Sequence, residues 1–132
     1  MFVVPGPPVP KARPRITRFG HTYTPQKTTD QENKIREAFL LEKWELTDKP
    51  LTLRIRAFMP IPTTLSKKKR SLIFWHFKRP DADNIAKLVM DALNGLAYKD
   101  DGQIAKLKIE KFYSENPRTE IEIERLEAEQ DE

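Results

Sequence analysis

The 132-residue sequence predicts a small α/β (α+β) fold, a single domain in which a mixed β-sheet carries two main helices. Three observations lead there. Two segments repeat apolar residues at intervals of three and four, the spacing of a helix with one buried face. Several shorter runs alternate apolar and polar residues, the spacing of half-buried strands. A chain of this length buries one moderate core.

In chain order, Phe2-Val3-Val4 is a short strand that ends at Pro5-Gly6-Pro7-Pro8, because proline at this density suits only an edge or an extended segment. Between Lys11 and Tyr23, Lys11, Arg13, Arg15 and Arg18 interleave with Phe19, His21 and Tyr23. Such a run holds phosphates and stacks on bases, or else forms a solvated hairpin with inward-packed aromatics. Thr24-Pro25 supplies a hydroxyl cap and a first-turn proline, and Ile35, Ala38, Phe39 and Glu42 keep helical spacing. A helix is predicted from Thr24 or Thr28 to Lys43, with its charges on a solvated face. Leu51, Leu53, Ile55 and Ala57 alternate with Thr52, Arg54, Arg56 and Phe58, which predicts a strand with a basic outer face, ended by Pro60 and Pro62. Ser66-Lys67-Lys68-Lys69-Arg70 is the densest basic run, one or two helical turns beginning near Thr64. Trp75, His76 and Phe77 read as strand residues or as base-stacking groups, with packing in the core the favoured expectation.

From Asp83 or Asn84, which can cap, a second helix is predicted through Ile85, Leu88, Val89, Ala92, Leu93 and Leu96, with Asn94-Gly95 as its left-handed stop. Ala105, Leu107 and Ile109 alternate with Lys106, Lys108 and Glu110 as the next strand, and Ile121 and Ile123 mark an edge strand. The domain is expected to span 1–126, followed by an acidic tail over 127–132.

Composition narrows the function. Cysteine is absent and there are two distant histidines, His21 and His76, so thiolate chemistry and a zinc site of His/Cys type are excluded. No apolar stretch is long enough to span a bilayer and the amino terminus does not read as a signal peptide, so a cytoplasmic protein is expected. From Met1 to Tyr113 there are 22 Lys and Arg against 12 Asp and Glu, while Ser114 to Glu132 carries 2 against 8. A basic body with an acidic end points to a polyanionic partner, nucleic acid first; solubilising surface lysines are the plainer reading of the same charge.

Between Arg79 and Lys111 five aspartates gather around one predicted helix: Asp81, Asp83, Asp91, Asp100 and Asp101. Clustered carboxylates repel one another unless a cation lies between them. Asp81 and Asp83 enter the helix where its dipole favours negative charge, whereas Asp83, Lys87 and Asp91 share the stripe nearly opposite the apolar one. Asp100-Asp101 follows on a turn, and would reach the same end if the next strand runs back beside the helix. Three or four carboxylates would then suit Mg²⁺, with Lys87 placed to neutralise charge on a phosphate or to position water. A capping pair and a common Asp-Asp-Gly turn are the structural readings of the same residues.

Arg79-Pro80-Asp81-Ala82-Asp83-Asn84, Lys87, Asp91-Ala92-Leu93-Asn94-Gly95 and Asp100-Asp101-x-Gln103-Ile104 resemble the signature of the RusA-type Holliday junction resolvases (crossover junction endodeoxyribonucleases). The resemblance extends to Lys11-x-Arg13-Pro14-Arg15 and Tyr23-x-Pro25 and covers most of the chain; the acidic carboxyl end departs from it. It implies a homodimeric, Mg²⁺-dependent endonuclease, with Mn²⁺ able to substitute, that resolves four-way DNA junctions in recombination and repair, often in a prophage setting. Catalytic roles carry over to Asp81, Asp83, Lys87 and Asp101. Metal ligation carries over to Asp81, Asp83 and Asp101, with Asp100 and Asp91 as further candidates. Arg13, Arg15, Arg18, Lys67, Lys68, Lys69 and Arg70 are the expected DNA contacts. The rivals are a general nuclease of flaps and forks, a catalytically inactive DNA-binding protein and, more weakly, an RNA-acting nuclease.

Overall fold

A computed structural model describes residues 1–127, so the predicted acidic tail lies, save for Glu127, outside the described residues. The main sheet comprises β1 (Phe2–Pro5), β4 (Leu51–Pro60), β5 (Ile104–Ser114) and β6 (Arg118–Arg125), in the order β1-β6-β4-β5. It is mixed: β4 runs parallel to β5 and antiparallel to β6, which runs antiparallel to β1. Two short strands, β2 (Arg15–Ile16) and β3 (Thr22–Tyr23), form a separate exposed hairpin.

The helices cover one face of this sheet. Helix α1 (Gln26–Leu40) turns Ile35 and Phe39 inward, and α3 (Ala82–Leu93) buries Ile85, Ala86, Leu88, Val89, Ala92 and Leu93. They meet the inward residues of β4, Leu51, Leu53, Ile55 and Ala57, which are wholly buried. α1 begins one residue after its proline rather than at Thr24, and Pro25 stands at the cap, its carbonyl accepting from Thr28 and Thr29 N–H groups at 3.1 and 3.2 Å. α3 begins earlier than the Asp83 or Asn84 cap predicted, with Asp81 at the cap position. Its predicted stop holds: Gly95 has φ +84°, a left-handed conformation that glycine adopts without a Cβ clash.

Three expectations change. The Ile121 strand is interior, because β1 pairs along its outer side from Phe2 opposite Ile121 to Pro5 opposite Arg118. The edge opposite β1 belongs to β5, which leaves Leu107 46% exposed. The outer face of β4 is not simply basic: Arg54 pairs with Glu110 at 3.3 Å and Arg56 with Glu120 at 3.4 Å, through neighbouring strands that sequence spacing cannot align. Trp75 and Phe77 are exposed, since the 71–80 connection crosses the outside of β5 instead of entering the core.

Beyond α3 the chain folds back through Tyr98, which is buried and whose hydroxyl donates to the Met90 carbonyl at 2.6 Å. This bond ties the turn to the last part of α3. Tyr98→Phe leaves that carbonyl without its partner and is expected to lower stability by about 1 kcal/mol, read by denaturant unfolding. A midpoint unchanged from wild type would mean that the carbonyl finds another donor.

Candidate active site

The strands β4 and β5 are parallel, so their connection must cross from one end of the sheet to the other, and α3 is that crossover. Asp81 and Asp83 therefore stand at one end of the helix and Asp100 and Asp101 beyond the other. A helix of 12 residues is about 18 Å long at 1.5 Å per residue.

At the amino-terminal end, Asp81 caps the helix through its backbone, its carbonyl accepting from Ile85 N–H at 3.2 Å, while its carboxylate makes no capping bond. Asp83 accepts the Asn84 N–H at 3.0 Å. Both aspartates are exposed. The approach to them is held by Lys111 on β5, whose Nζ donates to the Lys78 and Pro80 carbonyls, each at 2.7 Å. The amino-terminal segment is pinned to the same turn, Lys11 N–H donating to the Asn84 carbonyl at 2.8 Å. Between them opens a cleft of about 430 Å³ lined by Pro10, Lys11, Arg79, Pro80, Asp81 and Asn84.

The middle of α3 carries an ion network. Lys87 Nζ lies 3.1 Å from Asp91 Oδ1, and Lys11 Nζ reaches Asp91 Oδ2 at 3.0 Å and Glu32 Oε2 at 2.8 Å. Both oxygens of Asp91 are thus committed to ammonium groups. Burial alone would raise the Asp91 pKa, but hydrogen bonds from Lys11 and Lys87 and their charges outweigh it and hold the carboxylate below its usual value. Burial likewise acts to lower Lys11, and Glu32 and Asp91 overcome it, so Lys11 stays charged. Glu32 is buried, 7% exposed, so the charges of α1 are not all a solvated face. Lys11, Glu32 and Lys111 were missed as site residues. Lys11 lay within the Lys-x-Arg-Pro-Arg motif, but nothing local marks Glu32 or Lys111, whose partners are distant in sequence.

At the far end, Asp100 caps a short 3₁₀ turn over Asp101–Gln103, accepting the Gly102 N–H at 2.8 Å. Gln103 completes the turn by accepting from the Lys99 and Asp100 N–H groups and donating to the Thr47 and Lys49 carbonyls. Asp100 is therefore occupied structurally, and among the described residues no hydrogen bond engages the Asp101 carboxylate. Burial, then the charges of Asp101, Asp91 and Asp100, push the Tyr98 hydroxyl pKa up. The structure thus joins Asp83, Lys87 and Asp91 along one stripe and sets Asp101 near its Asp91 end. The strand after Asp101 does run back along α3, but Asp101 precedes it and stays behind. Among the described residues no three His, Cys, Asp or Glu side chains gather to hold a metal ion.

The oxygen donors present still suit one kind of ion. Mg²⁺ is commonly held by one or two carboxylates, with water and substrate phosphate filling its other positions. At this end of α3 the residues that could offer such oxygens are Asp81, whose carboxylate makes no capping bond, and Asp83, two positions on, both exposed.

Of the expected DNA contacts, Arg13, Arg15 and Arg18 are exposed on and beside the β2–β3 hairpin, where Phe19 is 76% exposed rather than packed inward. Lys67, Lys68 and Lys69 are exposed on α2 (Lys67–Arg70), capped by Ser66. Arg70 instead turns back on its own loop, its guanidinium donating to the Leu65, Pro62 and Thr63 carbonyls.

Residues 5–124 match the family described as Endodeoxyribonuclease RusA. The chain belongs to the RusA endodeoxyribonuclease family. It is 34% identical over 137 residues to the uncharacterized protein YqaN of Bacillus subtilis (strain 168), covering 96% of each chain. It is also 38% identical over 93 residues to the crossover junction endodeoxyribonuclease rusA of Lactococcus phage r1t, covering 70% of this chain and 63% of the phage protein. The RusA match spans β4, β5 and nearly all of β6, both long helices and both ends of α3, with only Pro5 of β1 inside it, and all five aspartates fall within it.

Behind this site His76 provides a pH-sensitive element. Burial, then the charges of Lys111 and Lys78, lower its pKa below 6.5, and among the described residues its buried Nδ1 has no hydrogen-bond partner. The unfolded chain therefore binds a proton more readily than the folded one. The stability contributed by neutral His76 is complete above pH 6.5 and is lost as pH falls through the lower folded value. Melting temperatures measured across this range should show a decline in wild type that His76→Gln lacks; parallel curves would contradict it.

Proposed function

We propose that this RusA-family chain cuts branched DNA, four-way junctions first, in a reaction that needs a divalent cation, and that it works as a homodimer in recombination and repair. The observation that carries the reading is the Asp81–Asp83 pair, exposed at the head of α3 beside a cleft walled by Lys11 and Arg79, with Lys87 one turn further along. A protein that only bound DNA would gain nothing by turning carboxylates towards phosphates. The name of the phage relative, a crossover junction endodeoxyribonuclease, supports the same substrate.

In this reading Asp81, Asp83 and Asp101 are the metal-binding carboxylates. A Mg²⁺ ion held there would supply positive charge where negative charge develops on the scissile phosphate and would make water a better nucleophile. The water oxygen bonds to phosphorus as the P–O bond of the leaving strand breaks, and the departing oxygen takes up a proton. Lys87 offsets charge on the phosphate, and Asp91 acts as a positioning residue that holds the Lys87 ammonium group. Lys67, Lys68, Lys69, Arg13, Arg15 and Arg18 contact the flanking phosphates, whereas Arg70 shapes the loop that presents α2.

A two-fold dimer fits this division of residues. Resolving a junction needs two symmetric nicks, which two related sites deliver together. The same symmetry allows the Asp101 end of one chain to meet the Asp81–Asp83 end of the other, a meeting that the length of α3 prevents within one chain.

The test compares a synthetic four-way junction with flap, fork and linear duplex of the same sequence, in Mg²⁺ and in EDTA. Cutting of the junction in preference to the others, abolished by EDTA, is expected. Equal cutting of flaps would move the reading to a general branched-DNA nuclease, and binding without cutting under any divalent metal would refute the enzyme.

A further inference from the structure

On the sheet face turned away from the helices, one cross-strand row is built from flat, π-bearing groups. Arg118 on β6 lies opposite Phe58 on β4, Phe58 opposite Phe112 on β5, and Phe112 opposite Trp75 in the connection beyond the sheet edge. The register makes them a stack. The Arg118 guanidinium sits 3.7 Å from the Phe58 ring centroid, Phe58 and Phe112 stack at 5.1 Å and 21°, and Phe112 and Trp75 at 4.9 Å and 26°. One end of the row is closed by the arginine. At the other end Trp75 stacks on Phe112 and meets Phe74 edge-on at 5.2 Å, and yet remains 55% exposed. Covering the sheet explains Phe58 and Phe112, which are half-buried; it does not explain placing an indole at the open end.

We propose that Trp75 is a stacking platform for an unpaired DNA base at the branch point, which would become the next layer of the row. The inference rests on the branched-DNA reading above and adds to it a contact with bases rather than phosphates. Position supports it. The segment from Trp75 to Asp81 is fastened at both ends to adjacent residues of β5, through the Trp75–Phe112 bridge and through Lys111 on the Lys78 and Pro80 carbonyls. The platform and the segment that leads to the carboxylates are thus tied to one short stretch of β5. Charge supports it as well, because the intervening Lys78 and Arg79 are exposed cations that suit a DNA backbone. Stacking on an aromatic face tolerates any base, which a branch-point reader needs.

The full-length wild type, Trp75→Ala and Trp75→Phe would be titrated onto a four-way junction carrying 2-aminopurine either at the branch point or in the middle of an arm. A fluorescence change confined to the branch-point probe is expected, with Trp75→Ala losing it and binding the junction about tenfold more weakly. Trp75→Phe should recover most of both, and all three should bind linear duplex alike. Unchanged junction affinity and fluorescence in Trp75→Ala would overturn the proposal. A wild-type dimer that becomes monomeric in Trp75→Ala by light scattering would overturn it too, assigning this face to a second copy of the chain. Failure of the underlying reading looks different: wild type would then bind junction no better than duplex.

Discussion

Asp81→Asn is expected to reduce junction cleavage by roughly 10²- to 10³-fold while leaving junction binding at or above the wild-type level. The two halves of this expectation have separate causes. Asparagine keeps the shape of the side chain but removes the charge that attracts a divalent cation, so rate is lost. Removing a negative charge beside phosphates cannot weaken attraction to DNA, so binding persists. Stability should move by less than about 0.5 kcal/mol, because the Asp81 carboxylate caps nothing and is exposed. A variant that cuts normally would remove Asp81 from the site. One that unfolds would mean that the side chain has a structural role which its contacts do not show.

Lys87→Met should be nearly as damaging, about 10²-fold in rate, since it deletes a cation aimed at developing charge. Its neighbours make a graded series. Asp91→Asn keeps the lysine but replaces a charged anchor 3.1 Å away, and a smaller loss of about tenfold is expected, accompanied by a changed pH profile as Lys87 loses its counter-charge. Glu32→Gln, which touches Lys11 but not Lys87, should leave the rate close to wild type. Single-turnover cleavage rates across pH measure all three. Asp91→Asn as inactive as Asp81→Asn, with metal affinity lost in parallel, would make Asp91 a ligand rather than a positioning residue.

How much of this was legible in the sequence depended on the distance over which each feature is decided. The two helices and the β4 strand follow from local periodicity, and Ile85, Leu88, Val89, Ala92 and Leu93 are buried as their spacing requires. The aspartates and Lys87 stand out because the residue types that chemistry needs lie close together in the chain. What the sequence did not show is decided between elements. The neutralised outer face of β4 depends on register with β5 and β6, and the interior position of β6 depends on four residues at the start of the chain. The anchoring of Asp91 by Lys11 joins residues eighty positions apart. The separation of Asp101 from Asp81 is topological: a parallel pair of strands forces the helix to span the sheet, and turn residues on either side of it end up at opposite ends. Trp75 was misplaced for the same reason, since an apolar run before a helix reads as core unless one knows that the strand it meets is an edge.

The central claim is that two such sites act together on a branched substrate, and a supercoiled plasmid bearing an extruded cruciform tests it most directly. Paired incision within one binding event converts the plasmid to a linear form in Mg²⁺, with no cutting in EDTA and none by Asp81→Asn. Open circles accumulating without linear product, or equal cutting of a plasmid lacking the cruciform, would contradict the account.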